Sequence, residues 1–233
     1  MKPVLFAAVL FFATLADASG LFTHGPGITD NIPSSDSILY LTLDACDSRP
    51  NGYDAKLINF LRKERIPATL FLNLHWIKAN SKITLDLAGD TLFKIENHGA
   101  RHRPASITGK LAYDIKGAKS KKELINDILP NQEKILELTK RKSTWFRSGT
   151  AHYEAEAVNE ILALGIKIAG FAINADYGAM ATASTIEKSI AKAHPGDIIL
   201  AHMNRPESQT FAGLSKALLK MKAQGYKFEK LPD

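Results

Sequence analysis

Seven short, apolar, β-rich runs recur along this chain, at Ile38–Asp44, Thr69–Asn73, Leu92–Glu96, Thr144–Arg147, Lys167–Ile173, Ile198–His202 and Tyr226–Lys230, with helix-like segments between most of them. Runs of that length and composition read as buried strands, and strand-helix alternation implies a parallel sheet with right-handed crossovers. The expected fold is therefore α/β, with the sheet either doubly wound or closed as a barrel. Helices are expected at Tyr53–Lys63, where Leu57, Ile58 and Leu61 recur at helical spacing, and at Glu154–Leu164, ended by Gly165. Ser120 with Glu123, and Ser184 with Glu187, read as capping boxes, each an N-cap hydroxyl three residues before a carboxylate. Pro130 falls inside the Ser120–Lys142 stretch and should kink or divide it. No internal repeat, linker or low-complexity segment interrupts the pattern.

The N-terminus bears on location. Lys2, the apolar run Val4–Leu15 and the small-x-small triplet Ala16-Asp17-Ala18 are the three regions of a secretory signal peptide in order. The run is shorter than the roughly 20 residues of a spanning helix. Cleavage after about Ala18 is expected, leaving 19–233 as a single exported domain with no stable membrane span. A chain of 233 residues, 45% hydrophobic, can bury one sizeable core. Its one cysteine, Cys46, excludes an intramolecular disulfide framework and fits a bacterial periplasm or exterior better than a disulfide-dense secreted module. The net charge of +6 is spread along the chain rather than gathered in a tract, so no nucleic-acid partner is expected. The basic stretch Lys116–Lys142 reads as a solvated helix face.

The residues with useful chemistry fall at strand ends. Asp44 and Asp47 close the first run, Asn97, His98 and His102 follow the third, Arg147 ends the fourth, Asp176 follows the fifth and His202 ends the sixth. The carboxyl ends of parallel strands share one face, so these scattered positions would converge in one crevice. His98 and His102, four apart, can present ring nitrogens to one tetrahedral cation, though two histidines on a surface loop would look the same. Such a cation needs further ligands, and the available carboxylates, Asp44 and Asp47, also suit the capping of the turn that follows. His202 is the natural general acid, Asp176 can accept its other ring N–H, and Arg147 can hold a neighbouring carboxylate ionised. Each is also a plausible core histidine or structural ion pair. Cys46 lacks the local signature of a cysteine nucleophile. His24, His75, His152 and His194 carry no pattern, although His152-Tyr153 fits a cleft lining.

In order and spacing, Leu41-Thr42-Leu43-Asp44, Asn97-His98-x-x-x-His102-x-Pro104, Trp145-Phe146-Arg147, Asp176 and Leu200-Ala201-His202 resemble the motifs of the polysaccharide deacetylases of carbohydrate esterase family four. The resemblance spans Ile38 to the C-terminus. It implies a distorted (β/α)7 barrel and metal-dependent hydrolysis of an acetyl group on a polysaccharide such as peptidoglycan or a chitin-like oligomer, N-acetyl first and O-acetyl second. By that resemblance Asp44 is the catalytic base, Arg147 tethers it, His202 is the acid, Asp176 orients the acid, and His98 and His102 hold a divalent metal, with zinc the first expectation. Three stretches depart from the family pattern. Ala45 stands where a metal-binding Asp is expected, Cys46 replaces a Gly, and Ser148-Gly149-Thr150 replaces the usual segment after the Arg. The third ligand is then expected from Asp47, with Asp44 as the close second choice. Two other readings stay open: a catalytically degenerate exported carbohydrate-binding protein on the same scaffold, favoured by Ala45, and an unrelated α/β binding protein.

Overall fold

Along the strand Ile38–Ala45 every second side chain faces a different layer. Leu39, Leu41, Leu43 and Ala45 join one buried cluster, while Tyr40 joins another and Thr42 and Asp44 are buried beside it. A strand buried on both faces needs cover on both, and this explains the near-continuous apolar run. The computed structural model describes residues 20–46 and 52–233. The proposed leader, residues 1–18, and Asp47 lie outside them.

In chain order the elements are β1 (Ile28–Thr29), β2 (Ile38–Ala45), α1 (Ala55–Glu64), β3 (Ala68–Leu72), α2 (Leu74–Ala79), α3 (Ser81–Gly89), β4 (Phe93–Asn97), the hairpin β5 (Leu111–Ala112) and β6 (Ile115–Lys116), α4 (Lys121–Thr139), β7 (Trp145–Phe146), α5 (Ala155–Ala163), β8 (Lys167–Ala169), β9 (Ile173–Asn174), α6 (Ala183–Ile190), β10 (Ile198–His202), α7 (Thr210–Ala223) and β11 (Lys227–Glu229). Among the described residues nine parallel strands form one sheet in the order β1-β8-β7-β4-β3-β2-β10-β9, with β11 also paired to β2. The segment from β8 to β9 pairs with β7 at its start and with β10 at its end, so the sheet curls round on itself as a distorted barrel. Of the two arrangements open to the sequence, doubly wound and closed, it is the curled one that forms. The large cluster built on Leu41, Leu43, Leu70, Ile199 and Ala201 lies between strands and helices, and the smaller one of Tyr40, Phe71, Trp145, Ala169, Ile198 and Leu231 takes the alternate strand positions.

Strand limits follow the sequence reading within a residue or two, except in one place. The expected single strand Lys167–Ile173 is broken into β8 and β9 at Gly170. There the Asp30 carboxylate, just past β1, accepts the N–H of Phe171 at 3.0 Å, and a Cβ on residue 170 would lie 1.8 Å from its Oδ1. A long-range insertion, invisible to local patterning, causes the break.

Helix starts also bring corrections. Ser120 caps α4 as expected, accepting from Glu123 N at 3.2 Å, but the Glu123 carboxylate takes Lys119 N instead of completing the box on Ser120. The Ser184–Glu187 box does not form. Thr182 is the N-cap of α6, accepting from Thr185 N, and Ser184 sits within the first turn. Pro130 leaves α4 undivided. It is on the exposed face, while Leu124, Ile128 and Ile135 hold the opposite face in the core.

Glu154, ahead of α5, anchors the loop that follows the two site histidines. Its carboxylate accepts from Ser106 Oγ, Thr108 Oγ1 and the N–H groups of Ile107 and Thr108, with Lys110 Nζ at 3.0 Å. Burial alone would raise its pKa, but the hydrogen bonds from Thr108, Ile107, Lys110 and Ser106 outweigh it and hold the carboxyl at about 2. A lowered carboxyl pKa stabilises the fold above the unfolded value near 4.5, and this share is lost as pH falls toward 2. Thermal melts between those limits should show wild type losing stability that Glu154→Gln, already weaker at neutral pH, does not lose.

Candidate active site

The carboxyl ends of β2, β4, β7 and β10 carry the side chains that meet. Arg147, after β7, is fully buried and spends its guanidinium on four partners. Nη1 donates to Thr42 Oγ1 and to Asp44 Oδ1, each at 2.8 Å, Nε donates to Ala169 O at 3.2 Å, and Nη2 donates to Gly170 O at 2.7 Å. Its face stacks on Phe71, 4.4 Å from the ring centroid. One oxygen of Asp44 is thereby fixed, and the other, Oδ2, lies 3.7 Å from His98 Nε2.

His98 and His102 leave β4 through a loop that α4 clamps. Asn97 Oδ1 accepts Gly99 N, Asn131 Nδ2 bridges Leu72 O and Asn97 Oδ1, and Asp127 Oδ1 accepts Arg101 N. His98 Nδ1 is 3.0 Å from Arg147 O, and because a carbonyl only accepts, Nδ1 carries the proton and Nε2 the lone pair. The two imidazoles stand edge to face, 5.4 Å apart. Burial lowers the pKa of both. For His102, burial and then the neighbouring His98 bring it to about 4.

His102 has φ of 50°, and its backbone passes so close to Gly149 that a Cβ there would stand 2.3 Å from His102 Cα. Gly149 is one of the departures from the family pattern, and its bare Cα makes room for this turn. Gly149→Ala should displace His102 and cost about 1–3 kcal/mol by overpacking; a thermal melt checks it.

On the other side of Asp44, His202 Nδ1 donates to Asp176 Oδ1 at 2.8 Å, and Asp176 Oδ2 accepts His202 N and Thr210 Oγ1, each at 2.9 Å. Burial works against both charges. For His202 the charge and hydrogen bond of Asp176 overcome it and raise the pKa above 6.5, while for Asp176 the partner His202 and the Thr210 bond carry it below 3.8. The shifts thus run in opposite directions: burial disfavours the charged form of His98 and His102, whereas Asp176 favours the charged form of His202. Asp44, His102 and His202 line one cleft of about 400 Å³. His152 lines it too, whereas Tyr153 is buried behind it, accepting Ser148 N on its hydroxyl.

Of the residues singled out by sequence, Asp44, Arg147, Asp176, His98, His102 and His202 are all brought together, and Asp47 falls outside the described residues. Among the described residues no three His, Cys, Asp or Glu side chains meet as a ready metal group. Ala45 points into the core cluster and offers no donor. The clamp of Asp127 and Asn131 was missed. Its signal was there: Leu124, Ile128, Asn131 and Ile135 share one helical face, where a polar residue needs a partner.

A barrel that gathers such an acid pair and an arginine-held carboxylate at the carboxyl end of its strands has the layout of an acid–base hydrolase. The chain belongs to the polysaccharide deacetylase family, whose profile matches residues 31–169. It is 25% identical over 210 residues to the peptidoglycan-N-acetylmuramic acid deacetylase PdaA of Bacillus subtilis, covering 86% of this chain and 72% of that protein. It is also 25% identical over 210 residues to the peptidoglycan-N-acetylglucosamine deacetylase of Bacillus cereus, covering 86% and 89%. In structure it resembles a carbohydrate esterase family 4 pseudoenzyme of Bacillus anthracis, with a TM-score of 0.73 at 21% identity over 89% of this chain and 68% of that one. The crystal structure of PdaA matches with a TM-score of 0.72 at 21% identity, over 88% and 82%. These neighbours share the fold, and the homology to peptidoglycan deacetylases supports hydrolytic deacetylation of a polysaccharide. No helix among the described residues is long and apolar enough to cross a membrane.

Proposed function

We propose that the chain is an exported, metal-dependent deacetylase that hydrolyses the N-acetyl group of an amino-sugar polymer, peptidoglycan or a chitin-like oligomer, with O-acetyl esters as the second bond class. The carrying observation is the arrangement around Asp44: its Oδ1 is held by Arg147, its Oδ2 lies 3.7 Å from His98 Nε2, and His202, on the neighbouring strand, has its Nδ1 bound to Asp176 at 2.8 Å. Residues 1–18 are read as a leader removed on export.

The donors fit a divalent cation. His98 Nε2 and His102 are neutral nitrogen ligands, and a carboxylate completes the set of types that zinc prefers. With Ala45 silent, that carboxylate is Asp47 by our reading, with Asp44 Oδ2 the runner-up. When bound, the cation polarises the acetyl carbonyl and makes the attacking water more acidic. The chain's own groups then move the protons. Arg147 occupies Asp44 Oδ1, so Oδ2 receives the proton of the water as its oxygen bonds to the acyl carbon. His202, whose Nδ1–H is committed to Asp176, gives its Nε2 proton to the sugar nitrogen as the C–N bond breaks. Acetate and a free amine leave.

Metal analysis of two variants tests the ligand assignment: Asp47→Asn should lose metal, and Asp44→Asn should keep metal and lose turnover. The opposite pattern would exchange the two roles. Acetate release from peptidoglycan, chitooligosaccharides and acetylated xylan separates N- from O-deacetylation. A second reading, a glycan-binding protein without turnover, is favoured by Ala45 and predicts glycan binding with no acetate from any of the three.

A further inference from the structure

The positive surplus that a reading along the sequence spreads through the chain is concentrated in one stretch. Residues 101–122 carry seven lysines and arginines against one aspartate, a surplus of six. The whole chain has 30 basic and 24 acidic side chains, so the other 211 residues hold 23 of each and are neutral as a body. The +6 therefore sits in the loop around His102, the β5–β6 hairpin and the first turn of α4.

Part of that charge is used inside the fold. Arg103 Nη1 lies 3.9 Å from Glu123, Lys110 Nζ lies 3.0 Å from the buried Glu154, and Lys121 pairs with Glu160. Arg101 is tied to Asp127 by its backbone N–H. Lys116, Lys119 and Lys122 are exposed and form no ion pair among the described residues. The exposed carboxylates nearest to them in sequence are Asp114 and Glu123, and Glu123 already takes the N–H of Lys119. Lys116 and Lys119 run side by side: a Cβ on residue 109 would stand 3.6 Å from Lys116 Cε and 3.3 Å from Lys119 Cγ. Fold stability gives no reason for this placement. Like charges repel, and Lys121 and Lys122 open α4, where a cation opposes the helix dipole.

The hairpin carries this charge to the cleft. Leu111 pairs with Lys116 and Ala112 with Ile115, so the ribbon has two faces. One carries Ile115, which lines the catalytic cleft with Tyr113 of the hairpin loop, and the other carries Lys116 to solvent. We propose that Lys116, Lys119 and Lys122 form an anchoring ridge for an anionic glycan strand, so that the protein takes carboxylate-bearing strands in preference to neutral ones. This rests on the reading of the cleft as a glycan deacetylase site and narrows it. Of the two polymers proposed for that site, a chitin-like oligomer is uncharged, whereas a peptidoglycan strand carries lactyl carboxylates at regular intervals. Exposed lysines contribute little singly, but several on one surface raise the local concentration of a polyanion and speed its capture.

The test measures binding of the purified protein to peptide-free peptidoglycan strands and to the same strands with their lactyl carboxylates converted to methyl esters. The triple variant Lys116→Gln, Lys119→Gln, Lys122→Gln should bind the native strands roughly tenfold more weakly than wild type and the esterified strands equally well. Wild-type binding should weaken with added salt, and the Gln variant should lose most of that dependence. The Arg triple at the same positions should keep the affinity, because it keeps the charge. All three side chains are exposed, so the variants should fold. Equal binding of native strands by wild type and the Gln variant would overturn the ridge, even if wild type releases acetate. Weakened binding in the Gln variant, with no acetate released by wild type, would keep the ridge and remove the deacetylase reading. Wild type that does not distinguish native from esterified strands, or that binds phosphatidylglycerol vesicles more tightly than native strands, would overturn the proposal.

Discussion

His202→Ala should slow acetate release by a factor of about 10²–10⁴, the usual contribution of a positioned general acid, while metal content stays near wild type. His202 sits across Asp44 from His98 and His102 and spends its Nδ1 on Asp176, so its removal deletes a proton donor without touching a proposed ligand. Asp176 keeps the Thr210 hydroxyl and the backbone N–H of residue 202, so the pocket should survive. The pH profile gives an independent reading. A pKa raised above 6.5 keeps the imidazolium populated as pH rises, so the alkaline limb of kcat/KM should fall above that value. Asp176→Asn removes the charge that holds the proton and should move the limb to lower pH. If His202→Ala turned over at the wild-type rate, the acid would lie elsewhere.

The second large effect is on stability. Arg147→Met should lower stability by about 3–5 kcal/mol, the cost of leaving a buried charge without its partner. For a chain of this length that lowers Tm by on the order of 10 °C. The arginine joins β2, β7 and the β8–β9 break through Asp44, Thr42, Ala169 O and Gly170 O, and all four belong to buried residues. Arg147→Lys should recover little, since a single ammonium cannot reach four acceptors spread around a planar fork. Adding Asp44→Asn to Arg147→Met should restore part of the loss by removing the orphaned charge. A Tm within about 2 °C of wild type for Arg147→Met would mean that the ion pair holds nothing together.

How far the sequence could be read depended on where the determining contact lies. β2 and β10 were legible because both of their faces are buried, so each shows a near-continuous apolar run, and their ends were marked by Asp44 and His202. The candidate site residues stood out for a related reason: one polar group at the end of such a run has structural uses, but polar groups recur at the ends of several runs that share one face. Gly170 was not legible as a break, because Asp30, which causes it, is remote in sequence. The β5–β6 hairpin was hidden because Tyr-Asp stands in place of the expected turn residues. α2 and α3 were missed because Asn73, the cap of α2, was assigned to the preceding strand. Ser184 failed as a cap because Thr182, two residues earlier, satisfies the first turn of α6. The choice between Asp47 and Asp44 as the proposed carboxylate ligand was not legible, because spacing alone does not fix the turn after Cys46.

On the proposed function, deacetylation proceeds with Ala45 in place of the expected Asp. The most direct measurement is acetate release from peptide-free peptidoglycan glycan strands by purified protein, first stripped with a chelator and then reloaded with zinc. Stripped protein should release no acetate, release should return with about one metal ion bound per chain, and His98→Ala should not recover. Metal-loaded wild type that binds the strands and releases no acetate would contradict it.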